Sequence, residues 1–253
     1  MQDTAELLKG KIIFEKGTHK VVWLGWDEKT SAGAVQTNQY LIISGGRGIL
    51  LDPGGVHLFS RVVASLSNYI NIEKIDTILF SHQDPDVSSG IALWLGITNA
   101  KIFLSELWLR FMPHFGIVNL SRLSPIPDDG LSIPLAGGTI GCIPAHFLHS
   151  PGNFSFYDSI SEILFSGDVG AAVFPENKIY LYAEDFDSHL RLMEGFHKRY
   201  MASGEACRRW VRKVREKNIS QIAPQHGAIM AGEPAKLFLS WLENLKCGID
   251  LLI

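Results

Sequence analysis

Short apolar runs punctuated by Gly, Asp and Pro dominate the first part of the chain. Residues 21–26, 40–43 and 48–51 are such runs, and each predicts a strand. After Asp52-Pro53-Gly54-Gly55 the period changes. Leu58, Val62, Leu66, Tyr69 and Ile70 recur at helical spacing and predict an amphipathic helix over 56–70. A buried-type strand at 77–80 then runs into Ser81-His82-Gln83-Asp84-Pro85-Asp86, followed by a helix at 88–95 and a strand at 101–104. Farther on, 139–144, 153–157 and 163–166 read as antiparallel strands, 186–217 as a helical block, and 219–223 as another strand. A last helix starts near Pro234. Its stripe of Phe238, Trp241, Leu242, Leu245, Ile249 and Leu252 predicts a helix packed on the domain, with a dimer surface as the alternative.

Strands with helices, then strands with helices again, predict an α/β fold. The expected arrangement is two sheet-plus-helix halves packed sheet to sheet with the helices outside. No composition break or linker divides the chain, so a single domain over residues 1–253 is expected. With 46% hydrophobic residues the 253 positions hold ample core, and the chain is not disordered. The balance of 23 basic against 26 acidic groups, a net charge of −3, argues against broad binding to nucleic acid or an anionic membrane. The most apolar short stretch, 90–97, falls far below the ~20 residues that span a bilayer. Residues 1–6 lack the basic and apolar regions of a signal peptide, so a cytoplasmic location is expected. Cys142, Cys207 and Cys247 are widely spaced and odd in number, which argues against a thiolate zinc site or a disulfide framework.

The chemistry sits on polar residues placed just after apolar strands. His82, Asp84 and Asp86 stand at i, i+2 and i+4. In an extended segment such residues point to one side, and Pro85 keeps Asp84 out of the helical region. Turn and N-cap roles are the ordinary alternative for the two aspartates. His149 in Leu148-His149-Ser150-Pro151-Gly152, Asp168 in Ser166-Gly167-Asp168, and His226 in Pro224-Gln225-His226-Gly227 occupy three more strand ends. Imidazole and carboxylate without thiolate suit iron, zinc or manganese. Three aspartates supply −3 against +4 from two divalent ions, and a bridging hydroxide balances the remainder. A dinuclear site with Asp168 as its bridge is therefore electrostatically sensible.

In these motifs, together with Asp52-Pro53-Gly54, the chain resembles the metallo-β-lactamase superfamily. Within it, the sequence is most similar to the di-iron domain of flavodiiron proteins and to their flavodoxin-less relatives, the oxygen-binding di-iron proteins. Asp84 stands where zinc hydrolases usually carry histidine, and the Pro-Gln-His-Gly turn at 224–227 is of the flavodiiron kind. The resemblance implies an αββα sandwich and two iron ions with a bridging oxo, hydroxo or dioxygen-derived ligand. It places His82, Asp84 and His149 on the first metal, Asp86 and His226 on the second, and Asp168 between them. The chain departs at Val87, where the family carries a histidine ligand. That departure either weakens the second metal or leaves a position open to a small molecule, and His146 is a candidate substitute or neighbour of the ligands. His19, His57, His114, His189 and His197 read as surface or packing residues. Trp23, Trp26, Tyr40, Trp94, Phe147, Tyr180, Tyr182 and Tyr200 are candidates to shape the pocket.

Hard oxygen donors suit iron, and an open di-iron centre binds dioxygen or nitric oxide. A zinc site would instead hydrolyse an ester, thioester or amide. No flavodoxin domain, FMN site, iron–sulfur motif or phosphate-cradling Gly-rich loop is visible. The expected function is thus dioxygen binding, as a sensor in signalling, or reduction of dioxygen or nitric oxide with electrons from a separate donor. Metal-dependent hydrolysis is the alternative. The resemblance makes a homodimer reasonable, and a sensor would require a signalling partner such as a chemotaxis receptor.

Overall fold

The computed structural model describes residues 9–26, 35–175 and 179–252, so the reading of residues 1–6 lies outside the described residues. The chain divides into two compact units. The first comprises residues 1–128 and 134–138, and the second residues 129–133 and 139–253.

The sheet of the first unit runs β1-β2-β3-β4-β5-β6-β7. Its strands are β1 (Lys11–Lys16), β2 (His19–Trp23), β3 (Tyr40–Ser44), β4 (Arg47–Leu51), β5 (Ile75–Leu79), β6 (Lys101–Ser105) and β7 (Leu123–Ile126). The first four pair antiparallel and the last four pair parallel. Gly45 and Gly46, with φ of 56° and 75°, close the β3–β4 hairpin in the left-handed conformation that a two-residue turn demands. The predicted helix over 56–70 is a 3₁₀ turn at Val56–Leu58 followed by α1 (Phe59–Leu66). It stops early because the Ser67 hydroxyl bonds back to the Val63 carbonyl at 2.8 Å, and the Tyr69 and Ile70 amides turn onto the Leu66 carbonyl. The predicted helix at 88–95 divides into α2 (Pro85–Ser88) and α3 (Ile91–Ile97). Val62, Leu66, Ile78, Phe80, Val87, Ile91 and Trp94 belong to one buried apolar cluster.

The second sheet runs β13-β12-β11-β10-β9-β8. Its strands are β8 (Leu131–Leu135), β9 (Gly138–Pro144), β10 (Phe154–Asp158), β11 (Ile163–Gly167), β12 (Gln221–Pro224) and β13 (Met230–Ala231). The antiparallel β9, β10 and β11 match expectation, and β12 returns parallel to β11. The helical block is two helices, α4 (Phe186–Tyr200) and α5 (Gly204–Arg215), because Ser203 caps the second by accepting from the Ala206 amide at 3.2 Å. The last helix, α6 (Glu233–Asn244), buries Phe238 and Leu242 in the core of this unit. It ends before the apolar stripe does. The chain leaves the helical path at Leu245, which is extended (φ −67°, ψ 132°), and Ile249 and Leu252 beyond it are 67% and 78% exposed. The stripe is therefore not one helix. β1, β7, β8, β13 and the 3₁₀ stretch Glu106–Phe115 carry too little alternation or too many polar and Pro residues to be read from the pattern. Among the described residues no helix is long and apolar enough to cross a membrane.

Candidate metal centre

Three of the six proposed ligands lie in the first unit. Asp52 directly follows β4 with a left-handed φ of 43°, and its Oδ1 accepts from the Ser81 amide at 2.8 Å. That bond ties the end of β4 to the segment leaving β5. The Ser81 hydroxyl lies 2.9 Å from His82 Nδ1, which leaves Nε2 as the nitrogen suited to a metal. Asp84 is extended (φ −59°, ψ 146°), as Pro85 requires, and precedes α2 as its N-cap residue. Its Oδ1 accepts from Gln83 Nε2 at 3.0 Å, and its Oδ2 lies 3.9 Å from His82 Nε2. The Ser88 hydroxyl donates to the Gln83 and Asp84 carbonyls at 2.7 and 3.0 Å and holds this loop against α2.

The extended alternation stops at Asp84. Asp86 occupies the first turn of α2, so helical rather than pleated geometry sets its direction. Pro85 explains both facts, since it excludes helix before itself and favours helix start at its own position. Val87 is fully buried within the apolar cluster of this unit.

The other three lie in the second unit, and here the geometry is closest. β11 delivers Asp168, whose Oδ2 lies 3.0 Å from His149 Nε2 and whose Oδ1 lies 3.5 Å from His226 Nε2. One carboxylate thus carries an imidazole at each oxygen, the donor arrangement that suits a bridge between two cations. All three side chains are nearly buried. His149 sits in the turn after β9, where Phe147 adopts a φ of 65° and the Leu148 amide bonds the Ala145 carbonyl at 3.0 Å. Its ring meets the edges of Phe196 and Tyr200 from α4, with centroids 5.8 and 5.9 Å away. Of the aromatic candidates, Tyr200 is thereby placed against a proposed ligand. His146 is half-buried and packs edge-on to Phe154 at 5.2 Å.

Parallel pairing of β11 with β12 sets Gly167 beside Pro224, which brings Gln225-His226 alongside the Asp168 turn. The Gln225 amide donates to the Gly167 carbonyl at 2.8 Å, and the Ala172 amide donates to the His226 carbonyl at 3.3 Å. His197 of α4 completes the support. Its Nδ1 bonds the Met193 carbonyl at 2.9 Å, so its Nε2 accepts the Gly170 amide at 2.9 Å. Burial pushes His197 down to about 4, which keeps it neutral and able to accept. Sequence alone placed His197 among packing residues, because position on a helix cannot reveal a bond to a distant loop. His189 is buried nearby on the same helix, bonded to the Tyr180 hydroxyl at 2.9 Å, and is likewise pushed down to about 4 by desolvation.

Gly227 follows His226 with a φ of 85°, and an added Cβ would lie 2.6 Å from the Ala172 Cβ and 3.0 Å from its amide nitrogen. Gly227→Ala is therefore expected to cost about 2 kcal/mol or more and to displace His226. Thermal melts together with metal content per chain will check this; an unchanged melt with full metal would contradict it.

The family model for the ODP family beta lactamase matches residues 35–227. The chain belongs to this family. Two solved structures of chemotaxis sensor ODP match this ODP-family chain, one of a peroxy diiron species and one of the apo state from T. denticola. Each is 58% identical with a TM-score of 0.87 and covers 96% of this chain and 97% of that one. A variant flavo di-iron protein from Thermotoga maritima, 20% identical, has a TM-score of 0.77 over 92% of this chain and 60% of its own, and shares the fold. A curated relative, an uncharacterized protein of Methanocaldococcus jannaschii, is 24% identical over 196 residues; the ODP-family chain spans 48% of that protein's length. The α/β metallo-β-lactamase fold expected from the motifs is the fold of this chain.

Proposed function

We propose that this chain is a non-heme di-iron protein that binds dioxygen and serves as a sensor in signalling. The observation that carries the reading is the Asp168 carboxylate with His149 at one oxygen and His226 at the other. On this reading the two units act as one metallo-β-lactamase domain. His82, Asp84 and His149 hold the first iron, Asp86 and His226 the second, and Asp168 both. The iron pair, when bound, supplies a redox-active centre with affinity for dioxygen or nitric oxide.

The protein's own residues orient the donors and exclude water. Ser81 fixes the His82 ring, Gln83 steadies Asp84, and Phe196 and Tyr200 present aromatic edges to His149. Val87, packed in apolar core, offers the second metal no donor, so this side of the pair relies on Asp86, Asp168, His226 and exogenous ligands. The 58% identity to a chemotaxis sensor supports a signalling role. A chemotaxis-receptor type of partner, a homodimer and a cytoplasmic location are part of the same proposal. Reduction of dioxygen or nitric oxide would need electrons from a separate donor.

The test is anaerobic loading with ferrous iron, followed by air. Two irons per chain and a long-lived oxygen-dependent visible band are expected. Rapid bleaching with repeated turnover on added reductant would point to a reductase instead. Zinc in the purified protein together with thioester or lactone hydrolysis would overturn both iron readings.

A further inference from the structure

Cys207 and Cys247 are 40 positions apart, yet their Sγ atoms meet at 3.8 Å in the second unit. Cys207 lies in the first turns of α5, and Cys247 lies in the loop after α6; both are free thiols with no exposed surface. The contact is held by bonds that do not involve sulfur. Asp250 Oδ2 accepts from the Gly204 amide at 2.7 Å and from the Cys247 amide at 3.3 Å, so one carboxylate grips both segments. The Gly248 amide donates to the Lys198 carbonyl and the Ile249 amide to the Ala202 carbonyl, each at 2.9 Å. Gly248 also lines a surface groove with Tyr200, Ala202 and Leu251, so solvent comes within one residue of Cys247.

We propose that Cys207 and Cys247 form a hydroperoxide-responsive dithiol, a modification site that closes reversibly to a disulfide. The two sulfurs differ in role. Either thiol can donate to the other across the 3.8 Å contact. The groove reaches Gly248, next to Cys247, so Cys247 is the attacking sulfur and Cys207 the resolving one. The Cys247 thiolate attacks one oxygen of hydrogen peroxide, the O–O bond breaks, and a sulfenic acid forms as hydroxide leaves and takes up a proton as water. The Cys207 sulfur then attacks the sulfenic sulfur, the S–O bond breaks, and a second water leaves with the Cys207 proton. Two thiols and one peroxide give one disulfide and two waters, with two electrons passing from sulfur to oxygen. Closure clamps the segment carrying the exposed Ile249 and Leu252 onto the junction of α4 and α5. Cys142, buried on β9 and pushed up to about 12 by desolvation, is an internal control.

The experiment takes the full chain as purified, reduced with dithiothreitol and desalted, and adds hydrogen peroxide before denaturing alkylation and peptide mass spectrometry. Two of the three cysteines are expected to resist alkylation, a Cys207–Cys247 cross-linked peptide to appear, and dithiothreitol to restore both. Cys207→Ser should leave Cys247 trapped by dimedone, whereas Cys247→Ser should give no adduct at Cys207. Three alkylatable thiols after peroxide, or a bridge that uses Cys142 or joins two chains, would overturn the proposal. A dimedone adduct on Cys207 in Cys247→Ser would overturn the assignment of roles. None of these outcomes depends on which metal the chain binds.

Discussion

Asp168→Ala is expected to purify with less than one iron per chain and to bind added ferrous iron at least about 100-fold more weakly than the parent. Two effects combine. Asp168 faces His149 with one oxygen and His226 with the other, so its loss removes a donor common to both proposed metals. On the proposed di-iron reading it also removes one of the three carboxylates that would balance two divalent ions, leaving excess positive charge. Plasma emission spectrometry on protein loaded anaerobically will read the stoichiometry, and circular dichroism will confirm that the variant is folded. Retention of two irons would mean that the imidazoles and the carboxylates of the 82–86 segment suffice, and Asp168 would not be the bridge. Asp168→Asn sharpens the result, because it keeps volume while removing charge and should also fall well short of two irons.

Acidification from pH 7 to pH 4 is expected to cost the protein about 6 kcal/mol of stability through two buried histidines. His189 and His197 are both pushed from their ordinary value down to about 4 by desolvation. In the unfolded chain each titrates near 6.5, so between these values the unfolded state binds protons that the folded state refuses. Stability is therefore fully present above about pH 6.5, and falls by about 1.4 kcal/mol per pH unit for each histidine. The loss levels off near pH 4. A loss of this size rivals the whole stability of an ordinary domain, so acid unfolding should set in between about pH 4 and 5. Urea midpoints from pH 7.5 to 4.5 measure the slope. His197→Gln should flatten it by about half, whatever its effect at pH 7.5. An unchanged slope would show that His197 is protonated in the folded protein, at odds with its acceptance of the Gly170 amide.

Much of the architecture was legible from local pattern. β3, β4, β5, β6, β9, β10 and β11 coincide with apolar runs bounded by Gly, Asp and Pro, because buried strands must be apolar and their turns need those residues. The failures were local competitions that periodicity cannot see. Ser67 ended α1 with Tyr69 and Ile70 still in phase, Ser203 divided the long helical block, and the extended backbone at Leu245 ended the C-terminal helix inside its stripe. Asp86 looked like the third member of an extended series until Pro85 started a helix beneath it.

The candidate site divides in the same way. Sequence by itself determined which side chains stand at strand ends, that they are imidazoles and carboxylates, and that position 87 carries no donor. These are properties of residue identity and of short-range spacing. Only tertiary structure decided that Asp168 shares its two oxygens between His149 and His226, that His197 braces the Asp168 turn, and that Cys207 meets Cys247. Each of those contacts joins residues distant along the chain, and each depends on strand register and helix packing. The parallel register of β11 on β12, which carries His226 to Asp168, is set by the whole buried sheet rather than by the residues it brings together.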